Sequence, residues 1–108
     1  MAQDFERTIT KDISASLTDI RATSNSDDAI VGLRLANTSA STITADVVIT
    51  DNSNAVLGYI IKNAPIPQGS SLEFMSGNKV VLETADTITV NSDTNNSIDA
   101  SLTIMEIT

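Results

Sequence analysis

A chain of 108 residues is long enough for one hydrophobic core and too short for two, and this one sets six basic against fourteen acidic residues for a net charge of −8. It contains no cysteine and no histidine, which excludes disulfides, thiolate metal sites, thiol nucleophiles and imidazole chemistry together. The bases Arg7, Lys11, Arg21, Arg34, Lys62 and Lys79 are scattered, whereas a phosphate backbone is gripped by clustered Lys and Arg, so nucleic acid is not an expected partner. No apolar run approaches the ~18 residues of a membrane helix, and the opening MAQDFERTITKD has charge where a signal peptide has its apolar stretch. A soluble protein made in the cytoplasm, with no membrane partner, is the expectation.

The first dozen residues place Phe5, Ile9 and Ile13 on one parity, with Arg7 and Lys11 between them on that same parity. Two readings fit. Residues 1–13 form an edge strand whose inward charges blunt unwanted pairing, or they form an extended arm that adds a strand to a neighbouring subunit. Residues 14–28 are polar and predict a long loop, or a short irregular strand around Leu17 and Ile20. From there to residue 108 the apolar positions alternate, which is the period of a strand with one buried face.

Val31, Leu33 and Leu35 make the first clear alternating set, followed by Ile43, Ala45, Val47 and Ile49, then Ala55, Leu57, Tyr59 and Ile61, and lastly Ile98, Ala100, Leu102 and Ile104. Val, Ile and Thr dominate these runs, as suits a pleated surface. Turn residues separate them at 37–41, 51–54, 65–70, 76–78 and 92–97. The short break at 51–54 predicts that residues 43–50 and 55–62 form an antiparallel hairpin. No helical period occurs, so the fold class expected for 14–108 is all-β: a single-domain antiparallel β-sandwich, jelly-roll-like or immunoglobulin-like, of about seven or eight strands.

Candidate chemistry is thin. Asp93, Asn95, Ser97 and Asp99 place oxygen side chains at alternate positions, as a calcium loop does, but Ile98 stands where such a loop has its turn glycine, and Ile104 where it has its bidentate Glu. A polar turn with Asp99 facing solvent fits better, so no metal is expected. Glu73, Glu83, Asp86 and Asp46 are the carboxylates open to acid/base work, yet none is spaced with a second polar partner of the kind catalysis needs. With only four glycines there is no phosphate-cradling loop. The chain therefore reads as no enzyme and as having no cofactor. Asn37-Thr-Ser39 and Asn95-Asn-Ser97 match the glycosylation pattern but read as turns. A glycan-binding sandwich needs aromatic platforms, and Phe5, Tyr59 and Phe74 are the only aromatics; Phe74 and Tyr59 are in phase with core residues.

The run PIPQGSSLEFMSGNKVVLETADTITVNSD resembles a pattern found in small virion structural proteins of tailed bacteriophages. The residues that carry the likeness are Pro67, Gly69, Ser70 and Leu72, then Gly77 and Lys79 to Leu82, then Asp86, Ile88 and Val90, and the closing Met105-Glu-Ile107. The likeness spans roughly residues 31–108. One position departs from it, because Ala85 stands where the pattern has glycine, and a turn with positive φ there would strain alanine. The resemblance implies a structural component present in many copies within the virion. Its expected role is a capsid decoration or cement protein bound to the major capsid protein, self-associating as a trimer. A ring-forming neck or tail accessory protein is the alternative within that class, and a glycan-binding module the alternative outside it. The expected contact residues are Phe5, Arg7, Ile9, Lys11 and Ile13 in the N-terminal segment, and Pro65, Pro67 and Gly69 in the following turn.

Overall fold

The computed structural model describes residues 3–21, 27–51, 56–74 and 80–107. Among these residues the chain forms nine strands and no helix: β1 (Gln3–Ile13), β2 (Thr18–Asp19), β3 (Asp27–Asn37), β4 (Ile43–Asp51), β5 (Val56–Ile66), β6 (Ser71–Phe74), β7 (Val80–Leu82), β8 (Thr87–Ser92) and β9 (Ile98–Ile107). The turns expected at 52–54 and 76–78 lie outside the described residues, as does the Phe74 side chain.

Two antiparallel sheets build a β-sandwich. The first runs β1-β9-β3-β6, with β7 also paired to β3; the second runs β2-β8-β4-β5. Strands β6 and β7 lie end to end along β3, opposite residues 33–36 and 28–30 respectively, and so fill one strand position. Counted that way, eight positions wrap in the order of a jelly roll, which separates the two sandwich types that the alternation alone left open. The predicted hairpin is present, with Asp51 paired to Val56 and Ile43 to Ile66.

The core lies between the sheets and its described part is aliphatic: Ile30, Leu33, Leu35, Leu102 and Ile104 face Ile43, Val47, Ile88 and Val90. Each such side chain contributes about 1.5–3 kcal/mol on burial. Alternation fails at three bulges, each of which inserts residues and changes which face the next ones meet. In β3 the pairing skips Val31, so Ile30 and Leu33 are both buried while Val31 is 51% exposed. In β1 the register slips between Thr10 and Ile13; Ile13 enters the core although Phe5 and Ile9 point away from it. In β5 the register slips twice, and Leu57 and Tyr59 lie at the surface.

Two of these bulges share one device. Asp12 and Asn63 take positive φ, 57° and 55°. The Asp12 N–H donates to Asp99 Oδ1 at 3.1 Å, and the Asn63 N–H donates to Asp46 Oδ1 at 2.7 Å. In each case a carboxylate on the neighbouring strand satisfies an amide that the slipped ladder would leave unpaired.

Candidate functional site

The two ends of the sandwich differ in construction. One end carries the loops at 14–17, 38–42, 67–70 and 93–97 and is tied together by hydrogen bonds. Thr38 N–H donates to Ser97 O at 2.8 Å, Asn37 N–H to Ser70 O at 3.0 Å, and Ser97 N–H to Ile13 O at 3.0 Å. Buried Asn37 is its centre: the side-chain amide donates to Ser41 O at 2.8 Å and to Ile66 O at 2.9 Å, while Oδ1 accepts from Ser39 N–H at 2.9 Å. Asn37 is thus a structural clasp, its nitrogen engaged inside the protein. Pro67 and Gly69 form the exposed tip of this end. Their turn closes with Ser70 N–H on Pro67 O, and Gly69 at φ 72° supplies the positive φ of a type II turn.

The oxygens of the 93–99 loop diverge. Asp93 Oδ1 accepts from Thr44 N–H at 3.2 Å and from Thr94 Oγ1 at 3.0 Å. Ser97 Oγ is buried against Ser92 Oγ and donates to Thr94 O at 2.7 Å. Asp99 turns to the β1 bulge, and Asn95 is exposed. Hydrogen bonding by the Thr44 backbone holds the Asp93 carboxyl below its ordinary value, with Thr94 assisting.

At the opposite end a buried ion pair does the tying. Arg21 Nη2 lies 2.7 Å from Asp28 Oδ2, with the two side chains 3% and 0% exposed. Arg21 Nε donates to the same oxygen at 2.9 Å, and Nη1 donates to Asp86 O at 2.8 Å. One guanidinium therefore joins the segment after β2, the start of β3 and the turn before β8. Asp86 closes that turn by accepting Glu83 N–H on Oδ2 at 3.0 Å; its Oδ1 is buried with no hydrogen-bond partner among the described residues. Here too the turn is of type II form, with Asp86 N–H on Glu83 O at 3.0 Å and Ala85 at φ 75°. The positive φ that would strain alanine is present.

Sequence reasoning missed the Arg21–Asp28 pair. Arg21 looked like one more scattered base, and only its position directly after the buried Ile20 hinted that it was drawn inward.

The outer face of the first sheet gathers most of the N-terminal candidates. Register places Phe5 opposite Met105, Arg7 opposite Thr103 and Ile9 opposite Ser101. Since Ala100, Leu102 and Ile104 of β9 face the core, the residues between them, and with them Phe5, Arg7 and Ile9, face out. Phe5 is 68% and Ile9 59% exposed. The charges of β1 therefore point outward, because the opposite register would bury Arg7 to cover Phe5 and Ile9, and an unpaired buried charge costs more than two apolar groups gain. Lys11 is exposed within the bulge. Ile13 does not belong with this group; it is 1% exposed, turned into the core by the bulge. Pro65 and Pro67 are exposed on either side of buried Ile66, away from the β1 edge. Tyr59 lies at the surface of the other sheet, 50% exposed, and Lys62 Nζ sits 4.6 Å from its ring centroid. One face of the ring that a sugar could use is thus covered.

The two sheets and their strand order define an antiparallel jelly-roll sandwich. No known protein family and no curated protein sequence matches the chain. Solved structures do. The chain is similar to a subunit of Bacillus endospore appendages, described as disulfide-linked pili, at TM-score 0.56 and 17% identity over 97% of this chain and 86% of that one. It is similar to a chain of the acid-stable capsid of Helicobacter pylori bacteriophage KHP30, at TM-score 0.56 and 8% identity over 98% of this chain and 87% of that one. It also matches part of a chain of the T13 particle of IBDV, an icosahedral virus, at TM-score 0.56 and 10% identity, covering 95% of this chain and 31% of that one. At these identities the likeness is one of fold.

Proposed function

We propose that this chain is a non-enzymatic structural protein of a bacteriophage virion, a decoration protein made in the host cytoplasm and bound in many copies to the capsid lattice. The observation that supports it most is the end-to-end match with a chain of a phage capsid, in which nearly the whole of each polypeptide is the same sandwich. The acidic composition and the absence of histidine and cysteine suit an outward-facing structural part. The pilus likeness is of equal TM-score, but those appendages are described as disulfide-linked and this chain has no cysteine with which to link. The capsid reading is the better supported for that reason. Lattice contact falls to the hydrogen-bonded end tipped by Pro67 and Gly69, where a rigid loop cluster is held by Asn37. Modest affinity per site suffices there, because repeated sites on one particle add avidity.

The test is cryo-electron microscopy of particles produced by the genome that encodes the chain, with the purified protein added back to particles stripped of it. Density over the capsid shell, lost when Pro67 and Gly69 are both changed to lysine, is the expected result. Density confined to neck or tail, or no association with particles, would overturn the assignment.

A further inference from the structure

The first strand is attached to the sandwich differently from the rest. Residues 3–10 pair one for one with β9, from Gln3 opposite Ile107 to Thr10 opposite Ala100, and among the described residues β9 is the only strand with which β1 pairs. None of the side chains from Phe5 to Asp12 is buried; Thr8 and Thr10 are half-buried and the others exposed. Arg7 and Lys11 form no ion pair among the described residues. Firm attachment begins at Ile13, which is 1% exposed. Its carbonyl accepts Ser97 N–H at 3.0 Å, and the carbonyl of Ser14 accepts Ser92 N–H at 2.9 Å. Between the loosely and the firmly held parts stand Lys11 and Asp12. There the register slips, Asp12 takes φ 57°, and one hydrogen bond at the surface, from Asp12 N–H to Asp99 Oδ1 at 3.1 Å, holds the bend.

We infer that β1 is an exchangeable strand: residues 3–10 swing out about Asp12, and the edge of β9 that they leave is taken by residues 3–10 of a second copy, reciprocally. Opening breaks a backbone ladder but draws no described side chain out of the core, so the sandwich from Ile13 onward persists while β1 is away. Segments held in this way, by backbone hydrogen bonds and few buried contacts, open at the low end of the free-energy scale. The bared edge of β9 is then a row of unpaired amides and carbonyls, a template for another strand. What covers that edge is shown by the fold itself, since β1 occupies it in a defined register. A second copy brings the same sequence, so the whole ladder from residue 3 to residue 10 is remade between chains, and exchange of an identical element costs little. The hinge supplies the bias. Asp12 is left-handed in the closed strand and extends in the exchanged one, which relieves its strain and gives up its bond to Asp99; short hinges under strain favour exchange.

The inference joins the two readings of the first thirteen residues, because one strand is an edge of its own sheet when closed and an arm to a neighbour when exchanged. It rests on the strand pairing alone and stands independently of the capsid assignment. It gives two copies where the family resemblance implied three.

The experiment uses the whole chain, which has no cysteine of its own. Phe5 and Met105 are directly opposite, so the double variant Phe5→Cys, Met105→Cys records which chain each β1 lies on. Held reduced at hundreds of micromolar, then diluted and oxidised, it should give a species of twice the 11.4 kDa chain mass on a non-reducing gel. Held at low micromolar throughout, it should give the internally bridged monomer. The pair Phe5→Cys, Ser101→Cys is out of register, since Ser101 lies opposite Ile9, and should give little of either. Asp99→Ala removes a bond made only by the closed bend and should raise the dimerisation constant about fivefold. Asp12→Gly relieves the closed strand of its left-handed strain and should lower that constant about fivefold. Bridged monomer alone at every concentration, an equally abundant dimer from the mismatched pair, or hinge variants that shift the equilibrium in the same direction would each overturn the inference; circular dichroism establishes that each variant is folded.

Discussion

Replacing Arg21 by methionine removes the charge and the donors while keeping most of the aliphatic length. The carboxylate of Asp28, fully buried in the folded chain, then loses two contacts to its oxygen Oδ2, at 2.7 and 2.9 Å, and the carbonyl of Asp86 loses a donor at 2.8 Å. Breaking a buried pair from one side costs about 3–5 kcal/mol, because the remaining charge is left unmatched in a poorly polarisable site. Asp28 has further partners in the structure, which places the expected loss near the lower figure, about 3 kcal/mol. A domain of this size has roughly 5–15 kcal/mol in total and shifts its midpoint by about 4–8 °C for each kcal/mol. Arg21→Met should therefore melt about 12–24 °C below the parent. Arg21→Lys, which keeps the charge but loses the planar fork, should fall between them. The assay is thermal and urea unfolding followed by circular dichroism, with the double variant Arg21→Met, Asp28→Asn completing a cycle. The double variant should be more stable than the sum of its singles, since neither charge then remains alone. A loss under about 1 kcal/mol for Arg21→Met, or strict additivity, would refute the buried-pair reasoning.

Two further outcomes follow from the turns and the acid loop. The paired type II turns offer an internal control: Ala85→Gly should stabilise the chain by about 0.5–1 kcal/mol by relieving a left-handed alanine, while Gly69→Ala should destabilise it by a similar amount; equal signs in urea titrations of the two variants would rule out the turn assignment. Asp93 has a carboxyl held below the ordinary 3.8 by the Thr44 amide, so its contribution is present above the unfolded pKa and is lost as pH falls through the lower folded value. Asp93→Asn should thus be slightly less stable than the parent at pH 7, and the gap should close as pH falls through the lowered folded value; a gap that persists unchanged in acid would show that the carboxylate is not the source.

The sandwich was legible because two-residue alternation survives in the strands that cross the middle of each sheet, such as β9 and the inward side of β4. It was not legible where one or two extra residues shift the phase. Nothing in the composition of Arg7-Thr-Ile-Thr-Lys-Asp-Ile13 announces that Ile9 faces solvent and Ile13 the core; that is decided by a bulge at Asp12 whose stabilising partner, Asp99, lies 87 residues away. Val31 and Tyr59 went astray for the same reason. The Pro67–Gly69 turn could be read locally, since proline and glycine state their own backbone preferences. Arg21 could not, because its burial depends on a carboxylate and a carbonyl from two other parts of the chain. The outward row Phe5, Met105, Ala29 and Val81 on the first sheet was equally hidden: it is assembled from four separate strands, each supplying one apolar residue in a place that only the register defines.

The pairing of Gln3 with Ile107 also has a temporal meaning. Strand β9 runs between β1 and β3, so β1 has no neighbour in its sheet until residues 98–107 have been made. The chain must wait with that sheet unfinished, and folding that depends on such distant closure is slow. A polypeptide cut short before β9 lacks the middle of one sheet and cannot display the row to which Met105 belongs. Any surface formed by β1, β9 and β7 together is consequently absent from chains that lack β9.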